Sequence, residues 1–169
     1  MKKTLRYAAT AVIAAAFAFI LIFATTLCVI FPNKYVDKVC AAADEFGLSR
    51  PLVKSVVWAE SRFDKNATSH KGAKGLMQLM PETFDACAQA LGLPKNADMY
   101  DAENSLRCGC YYLSILIDKF DGNVTAALMA YNAGETNARK FLNGEEIFPE
   151  TKKYLAAIGK AQKVYGIFN

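Results

Sequence analysis

The feature that most constrains this chain is an uncharged, apolar run near its N-terminus. From Ala8 to Phe31 the sequence contains no charged residue, and this run of 24 residues follows Lys2, Lys3 and Arg6. An apolar helix of that length is enough to cross a hydrocarbon core of roughly 30 Å. Positive residues before a span favour a cytoplasmic N-terminus, which predicts that the rest of the chain lies on the outer side of the membrane.

A cleaved signal peptide is the competing interpretation of this run. Its apolar region would span about 7–15 residues, and a small-x-small cleavage site would follow it directly. Here the run is longer and continues into Phe31-Pro32-Asn33-Lys34 without such a site. The sequence therefore favours an uncleaved anchor over residues 1–33, followed by one domain over residues 34–169. Cleavage remains the alternative.

The charges after the span exclude one class of partner. Residues 32–169 carry 17 basic and 16 acidic side chains. Nucleic-acid-binding proteins depend on an excess of positive charge that neutralises phosphates. We therefore predict no nucleic-acid partner.

Cysteine and histidine usage limits the chemistry further. Four cysteines follow the span: Cys40, Cys87, Cys108 and Cys110. An extracytoplasmic location permits disulfides, but buried free thiols are the simpler explanation, and both remain open. His70 is the only histidine, which argues against a histidine-based zinc site or a Ser-His-Asp triad. No motif for a metal or an organic cofactor is present, so we predict none.

The domain after the span has the pattern of short helices separated by turn residues. Sustained alternation typical of strands is nearly absent, so we predict a mainly α domain. The predicted elements are helices at 35–46, 50–61, 81–91, 102–120, 123–134 and 150–165, and a short helical turn at 75–80.

Glu60 stands out because it ends one of these helices on its apolar face. Val53, Val56 and Val57 precede it by seven, four and three residues and therefore share its side of the helix. Apolar surroundings raise a carboxyl pKa, because desolvation disfavours the charged form. A carboxyl group protonated near neutral pH is suited to general acid catalysis. A solvated glutamate at a frayed helix end is the alternative.

Three further segments combine polar side chains with glycines or other small residues. They are Gly72-Ala73-Lys74-Gly75-Leu76-Met77-Gln78, Ala130-Tyr131-Asn132-Ala133-Gly134, and Pro149-Glu150-Thr151 with Tyr154. The glycines of the first segment would allow close approach of a ligand to the backbone. Each segment alone also fits an ordinary loop or helix end.

Taken together, these segments resemble the lytic transglycosylase (SLT) domain of the lysozyme superfamily. Order and spacing agree over about residues 35–165. The matching residues are Glu60-Ser61, Ser69, Gly72-Ala73, Gly75-Leu76-Met77-Gln78, Met80-Pro81, Ala130-Tyr131-Asn132-Ala133-Gly134, Glu150-Thr151 and Tyr154.

The resemblance implies a lysozyme-like helical fold and a reaction on peptidoglycan glycan strands. Glu60 would protonate the β-1,4 bond between N-acetylmuramic acid and N-acetylglucosamine. It would then take a proton from the muramic C6 hydroxyl, which closes a 1,6-anhydro ring. Tyr131 would help to orient Glu60. The residues implied to bind substrate are Ser69, Met77, Gln78, Tyr131, Asn132 and Glu150.

Two alternatives to this function remain. A lysozyme-type muramidase would hydrolyse the same bond, and a non-catalytic protein would bind or assemble at the wall. The only other acid between Glu60 and Gln78 is Asp64, which favours lytic transfer because ordinary glycosidases generally use two carboxylates. The implied partners are glycan strands and, through the N-terminal helix, the membrane. The domain would face the cell wall.

Two positions depart from the family pattern. Ser105 stands where asparagine is usual, and serine is expected to cap the helix there instead. Thr136 stands where a second glycine often follows Gly134, which leaves the backbone shape of this loop open.

Overall fold

The computed structural model describes residues 2–167 and divides into two compact units, Met1–Pro32 and Asn33–Asn169. The first unit is helix α1, Lys2–Ile30. Within α1, Val12–Ile30 is the one segment of the described residues that is helical, long and apolar enough to cross a membrane. This segment lies within the uncharged run from Ala8 to Phe31.

The second unit is built from seven helices in the described part of the chain. No strand occurs there, and this confirms the prediction of a mainly α domain. The helices are α2 Val36–Glu45, α3 Arg50–Ser61, α4 Pro81–Ala90, α5 Ala102–Lys119, α6 Val124–Ala133, α7 Glu135–Leu142 and α8 Pro149–Ile167.

Local sequence signals account for most of the helix ends. Gly47 follows α2 with φ +65°, and the Leu48 N–H bonds back to the Ala43 carbonyl at 2.8 Å. Such a left-handed residue satisfies carbonyls that the helix leaves unpaired, and glycine adopts it without steric cost. At the start of α6, the Asn123 side chain accepts from the Ala126 N–H at 3.1 Å, as a helix-capping residue does.

Helix α3 carries much of the core of the domain. Val53, Val56 and Val57 are fully buried, and α3 packs against α8 and α2. Helix α5 packs against α2, α4 and α6, while α6 also contacts α7 and α8. The C-terminal end of α3 is therefore held beside α8, although the two helices are far apart in the sequence.

Helix α7 is absent from the predicted elements. The segment is only eight residues long and mostly polar, with Ala138 as its one buried residue, so its few apolar positions do not identify a helix from sequence. Packing against α6 stabilises it instead. Thr136 lies inside α7, so the chain enters a helix directly after Gly134.

The predicted helical turn at 75–80 is wrong. Residues 75–78 form a non-helical turn, and Lys74 and Leu79 on either side of it form an antiparallel bridge. Gln78 adopts φ +49°, which interrupts any helical continuation toward Pro81. Apolar spacing over so few residues does not distinguish a helical turn from a tight loop.

The expectation that Ser105 caps α5 is also wrong. Asp101 is the capping residue, and its carboxylate accepts from the Glu103 N–H at 2.9 Å and the Asn104 N–H at 3.0 Å. Ser105 is buried, and its hydroxyl accepts from the Met77 N–H at 3.3 Å. This serine therefore joins α5 to the turn at 75–78.

The glycine of this turn faces protein rather than a ligand. A Cβ on Gly75, which has φ +78°, would lie 2.3 Å from the Met99 carbonyl oxygen and 2.6 Å from the Ser105 hydroxyl. Gly72 also has positive φ, +92°, but a Cβ there would meet nothing within 4 Å. The close approach that the sequence suggested at Gly75 is thus an internal packing contact.

This difference predicts unequal effects of alanine at the two glycines. Gly72→Ala is expected to cost about 1 kcal/mol of unfolding free energy from backbone strain alone. Gly75→Ala is expected to cost about 2 kcal/mol more, because overpacking adds to the same strain. Urea unfolding of both variants measures the difference, and equal losses would contradict the contact described for Gly75.

All five cysteines are free thiols in this structure. Cys87, Cys108 and Cys110 are buried, and burial raises the pKa of Cys87 to about 11 and that of Cys108 to about 12. Thiols with such pKa values stay protonated and act as small apolar residues.

Candidate active site

Glu60 lies next to the last residue of α3, on the side that faces the rest of the domain. Its side chain is half-buried, and burial raises the pKa of its carboxyl group from 4.5 to about 7. A hydrogen bond from Tyr154 acts in the opposite direction on this pKa. Among the described residues, no neighbouring carboxylate contributes to the shift. Glu60 can therefore hold a proton near neutral pH and also release it.

Tyr154 makes the direct contact with Glu60. Its hydroxyl, on α8, donates to Glu60 Oε1 at 2.7 Å. Burial and the nearby Glu60 carboxyl raise the pKa of Tyr154 well above its usual value, so the phenol remains a donor. The packing of α8 on α3 brings the two residues together.

Tyr131 lies near Glu60, but its hydroxyl bonds to the turn at 75–78. Its hydroxyl donates to the Met77 carbonyl oxygen at 2.7 Å, and its ring lies 5.4 Å from the Tyr112 ring, centroid to centroid. Burial and the nearby Glu60 raise the pKa of Tyr131 well above its usual value. Tyr131 thus fixes the backbone at 75–78, and the hydrogen bond that orients Glu60 comes from Tyr154.

Met77 does not present its side chain to a ligand. The side chain is fully buried, and a Cβ on Gly109 would lie 2.6 Å from the Met77 Cβ, so only glycine fits there. The Cys110 sulfur lies 3.9 Å from the Met77 sulfur. In this structure the side chain is therefore packed within the domain. Met77 contributes through its carbonyl, which anchors Tyr131.

Gln78 holds the loop that precedes it. Its side-chain nitrogen donates to the Ala67 carbonyl at 3.0 Å and to the Gly75 carbonyl at 2.9 Å. These two bonds use both N–H groups of the amide. The half-buried side chain therefore offers its carbonyl oxygen as the group available to a ligand.

Ser61, next to Glu60, links α3 to the same turn. It is buried, and its hydroxyl donates to the Leu76 carbonyl at 2.8 Å. Ser61 thus connects the end of α3, which carries Glu60, to the turn that carries Gln78.

The other three predicted residues are Ser69, Asn132 and Glu150. Ser69 is half-buried in the loop, and its hydroxyl accepts from the Ala73 N–H at 3.0 Å. Asn132 is exposed at the end of α6, and its side-chain oxygen accepts from the Thr151 hydroxyl at 3.2 Å. Glu150 is exposed in the first turn of α8. The structure gives none of these three a direct bond to Glu60 within the described residues.

No metal-binding group of three or more His, Cys, Asp or Glu side chains occurs among residues 2–167. The polar side chains described around this site are the carboxyl group of Glu60, the phenols of Tyr131 and Tyr154, and the amide of Gln78.

The family model described as the transglycosylase SLT domain matches residues 37–153, which is more than half of the chain. The chain belongs to the transglycosylase SLT family. All the residues of the Glu60 site except Tyr154 lie within this match.

Named relatives of the SLT family agree with this assignment. Peptidoglycan transglycosylase gp16 of Escherichia phage T7 is 37% identical over 108 residues, which cover 62% of this chain and 8% of the phage protein. Membrane-bound lytic murein transglycosylase C of Haemophilus influenzae is 26% identical over 169 residues, covering 80% of this chain and 47% of that protein. The chain thus spans less than half the length of these relatives.

A solved structure of another lytic transglycosylase supports the fold described above for this chain. An inactive mutant of lytic transglycosylase Slt from Pseudomonas aeruginosa superposes with a TM-score of 0.77 at 29% identity. The match covers 83% of this chain and 25% of Slt. The likeness confirms the lysozyme-like fold.

Sequence patterns assign no role to Tyr154 in the SLT site. It is part of the matching pattern, but a tyrosine within a helix that begins 89 residues after Glu60 carries no local sign of a contact with it. Only the packing of α8 on α3 reveals the hydrogen bond.

The Tyr154→Phe variant is expected to change the pH dependence of catalysis in a defined direction. The hydrogen bond lowers the pKa of Glu60, so its loss raises that pKa further above about 7. The alkaline limb of the profile of kcat/KM should therefore move to higher pH, and the maximal rate should fall about tenfold because Glu60 is less well positioned. Tyr111→Phe on α5 is the matched control. An unchanged limb in Tyr154→Phe would contradict the role of this bond.

Proposed function

We propose that this chain is a peptidoglycan lytic transglycosylase in which Glu60 alone acts first as general acid and then as general base. The observation that carries the proposal is a half-buried carboxyl group whose pKa is raised to about 7 by burial, with no second carboxylate among the causes. Membership of the SLT family and the printed names of the relatives support the same reaction.

The first step uses the protonated form of Glu60. Burial favours this form, and Glu60 donates its proton to the glycosidic oxygen between N-acetylmuramic acid and N-acetylglucosamine. The bond from this oxygen to the muramic C1 breaks, which leaves positive charge on the muramic ring and releases the next sugar with a free hydroxyl. The Glu60 carboxylate that remains is stabilised by the hydrogen bond from Tyr154.

The second step uses the carboxylate form of the same residue. Glu60 takes the proton from the muramic C6 hydroxyl, whose oxygen forms a bond to C1 and closes the 1,6-anhydro ring. Because the attacking group belongs to the sugar, no water has to be activated by a second carboxylate. Glu60 regains its proton, and the site is ready for another cycle.

Binding of the sugar is assigned to the polar groups around Glu60. The carbonyl oxygen of Gln78 would accept from a sugar hydroxyl or acetamido N–H, since both its own N–H groups hold the loop. Ser69, Asn132 and Glu150 would contact the glycan further along the strand. Tyr131 and Met77 would support the backbone beneath it.

Helix α1 supports a location for the reaction at the membrane. We assign α1 as an uncleaved, single-pass anchor, with Lys2, Lys3 and Arg6 on the cytoplasmic side and the SLT domain facing the cell wall. The membrane-bound relative in Haemophilus influenzae agrees with anchoring in general.

The test of the proposal is the identity of the product formed in ¹⁸O-labelled water. Purified peptidoglycan is digested with the full chain, and the released fragments are analysed by mass spectrometry. The proposal predicts 1,6-anhydromuramic ends without ¹⁸O, because no water enters the bond. Reducing ends that contain ¹⁸O would identify a muramidase, and absence of fragments would identify a binding protein; either result would overturn the proposal.

A further inference from the structure

The segment that joins Glu60 to Gln78 is strongly basic. Residues 62–74, called the basic loop below, contain four cationic side chains and one acidic one. They are Arg62, Lys65, Lys71 and Lys74, with Asp64 as the acid. The remainder of the chain after Phe31 has 13 basic and 15 acidic residues. The net positive charge of the chain after Phe31 therefore comes from this one loop.

The cations of the basic loop are not used in ion pairs within the described residues. Five cations elsewhere in the domain are paired with acids: Lys38 with Glu103, Arg50 with Asp44, Arg107 with Glu45, Lys119 with Glu135, and Lys152 with Glu146. In the loop, Arg62 stacks on the Trp58 ring at 3.4 Å, and Lys74 lies 5.7 Å from the Tyr100 ring. Lys65 and Lys71 are exposed.

Asp64, the only acid of the loop, is hydrogen-bonded to the backbone of the loop itself. Asp64 Oδ1 accepts from the Asn66 N–H at 3.0 Å, which closes a local turn. The loop thus presents positive charge that no acidic group of its own sequence neutralises through a direct contact.

Hydrogen bonds hold the base of the loop at the candidate active site. The Ala67 carbonyl accepts from the Gly75 N–H at 3.0 Å and from the Gln78 amide at 3.0 Å. The bond from Ser61 to Leu76 closes the two ends of the loop beside Glu60. The two ends of the basic loop are therefore held next to Glu60 and Gln78.

We propose that the basic loop binds the carboxylates of the peptide attached to the muramic acid that is being cleaved. This inference rests on the proposed function. In peptidoglycan, the lactyl group of muramic acid carries a short peptide that contains acidic residues and ends in a carboxylate. That peptide starts on the same sugar whose glycosidic bond Glu60 protonates, so it leaves the sugar beside the residues that border Glu60.

Charge complementarity favours this occupant over other anions. A cluster of like charges beside a cleft raises the local concentration of an oppositely charged ligand and its rate of association. Phosphate-rich wall polymers and anionic lipids would also be attracted, but neither is attached to the reacting sugar. Lys65 and Lys71, which are exposed and lie outside any ion pair in the described residues, would make the principal contacts.

The experiment compares two substrates and two double variants of the full chain in detergent. One substrate is glycan strands with their peptides, and the other is the same strands after an amidase has removed the peptides. The test variant is Lys65→Gln/Lys71→Gln. The matched control is Lys95→Gln/Lys140→Gln, which removes two exposed lysines outside the loop.

The test variant should lose about tenfold in kcat/KM on peptide-bearing strands, through KM, with kcat retained. On stripped strands it should equal the wild type, and the control should equal the wild type on both substrates. Added salt should raise the KM of the wild type on peptide-bearing strands more than that of the test variant.

Other outcomes would overturn the inference. Equal activity of the test variant and wild type on peptide-bearing strands would show that the loop does not recognise the peptide. An equal loss on both substrates, with an unchanged circular dichroism spectrum, would assign the loop to the glycan itself. Loss of binding to phosphatidylglycerol vesicles without a change in KM would assign it to anionic lipid. Absence of cleavage of both substrates by the wild type would instead refute the proposed function, and with it this inference.

Discussion

The Glu60→Gln variant is expected to lose roughly 10²–10⁴-fold of the rate of glycan cleavage, the range associated with a general acid–base residue. Glutamine has nearly the same shape but can neither donate the proton to the glycosidic oxygen nor accept one from the C6 hydroxyl. Its side-chain oxygen can still accept from Tyr154, so the geometry of α3 and α8 should be preserved. Release of soluble fragments from peptidoglycan measures the rate.

The control for this variant is Glu145→Gln, which removes an exposed carboxylate outside the site. It should cleave at the rate of the wild type. Circular dichroism of both variants should match that of the wild type. A Glu60→Gln protein that cleaves glycan at full rate would contradict the assignment of Glu60 as the acid.

The second large effect concerns the pH dependence of stability. Glu60 has a pKa of about 7 in the folded protein and near 4.5 when unfolded, so its folded-state pKa is raised. Below about pH 4, Glu60 is mostly protonated in both the folded and the unfolded state, so its ionisation does not reduce the free energy of unfolding. As the pH rises, Glu60 ionises first in the unfolded state, and its contribution to the free energy of unfolding falls by about 3 kcal/mol before levelling above about pH 7.

Glu60→Gln lacks this proton equilibrium, so it should become more stable than the wild type as the pH rises. The difference in unfolding free energy should grow by about 3 kcal/mol between about pH 4 and about pH 8. Urea unfolding of the two proteins at several pH values measures it, and the other titrating groups cancel in the difference. A difference that stays constant with pH would show that Glu60 is solvated.

Much of the fold can be predicted because local signals and apolar spacing agree. Gly47, Pro81 and Asn123 each mark a helix boundary that the structure contains. The position of Glu60 on the face of Val53 and Val56 predicts a carboxyl group in apolar surroundings, and its raised pKa agrees with that interpretation. These features depend on residues that are close together in the sequence.

The features that could not be predicted depend on packing between distant segments. Helix α7 has too few apolar residues to be identified, and α6 stabilises it. The phenol that orients Glu60 comes from Tyr154 rather than Tyr131, because the packing of α8 on α3 decides which hydroxyl reaches the carboxyl group. No periodic pattern in one segment contains that information.

We propose that one carboxyl group at the end of α3, that of Glu60, exchanges its proton near neutral pH. The most direct test of this proposal is a ¹³C NMR titration of the glutamate side-chain carboxyl carbons, in which the Glu60 signal is identified by its absence from Glu60→Gln. A midpoint at about pH 7 is expected for this signal. A midpoint at the ordinary glutamate value, about 4.3, would contradict the proposal.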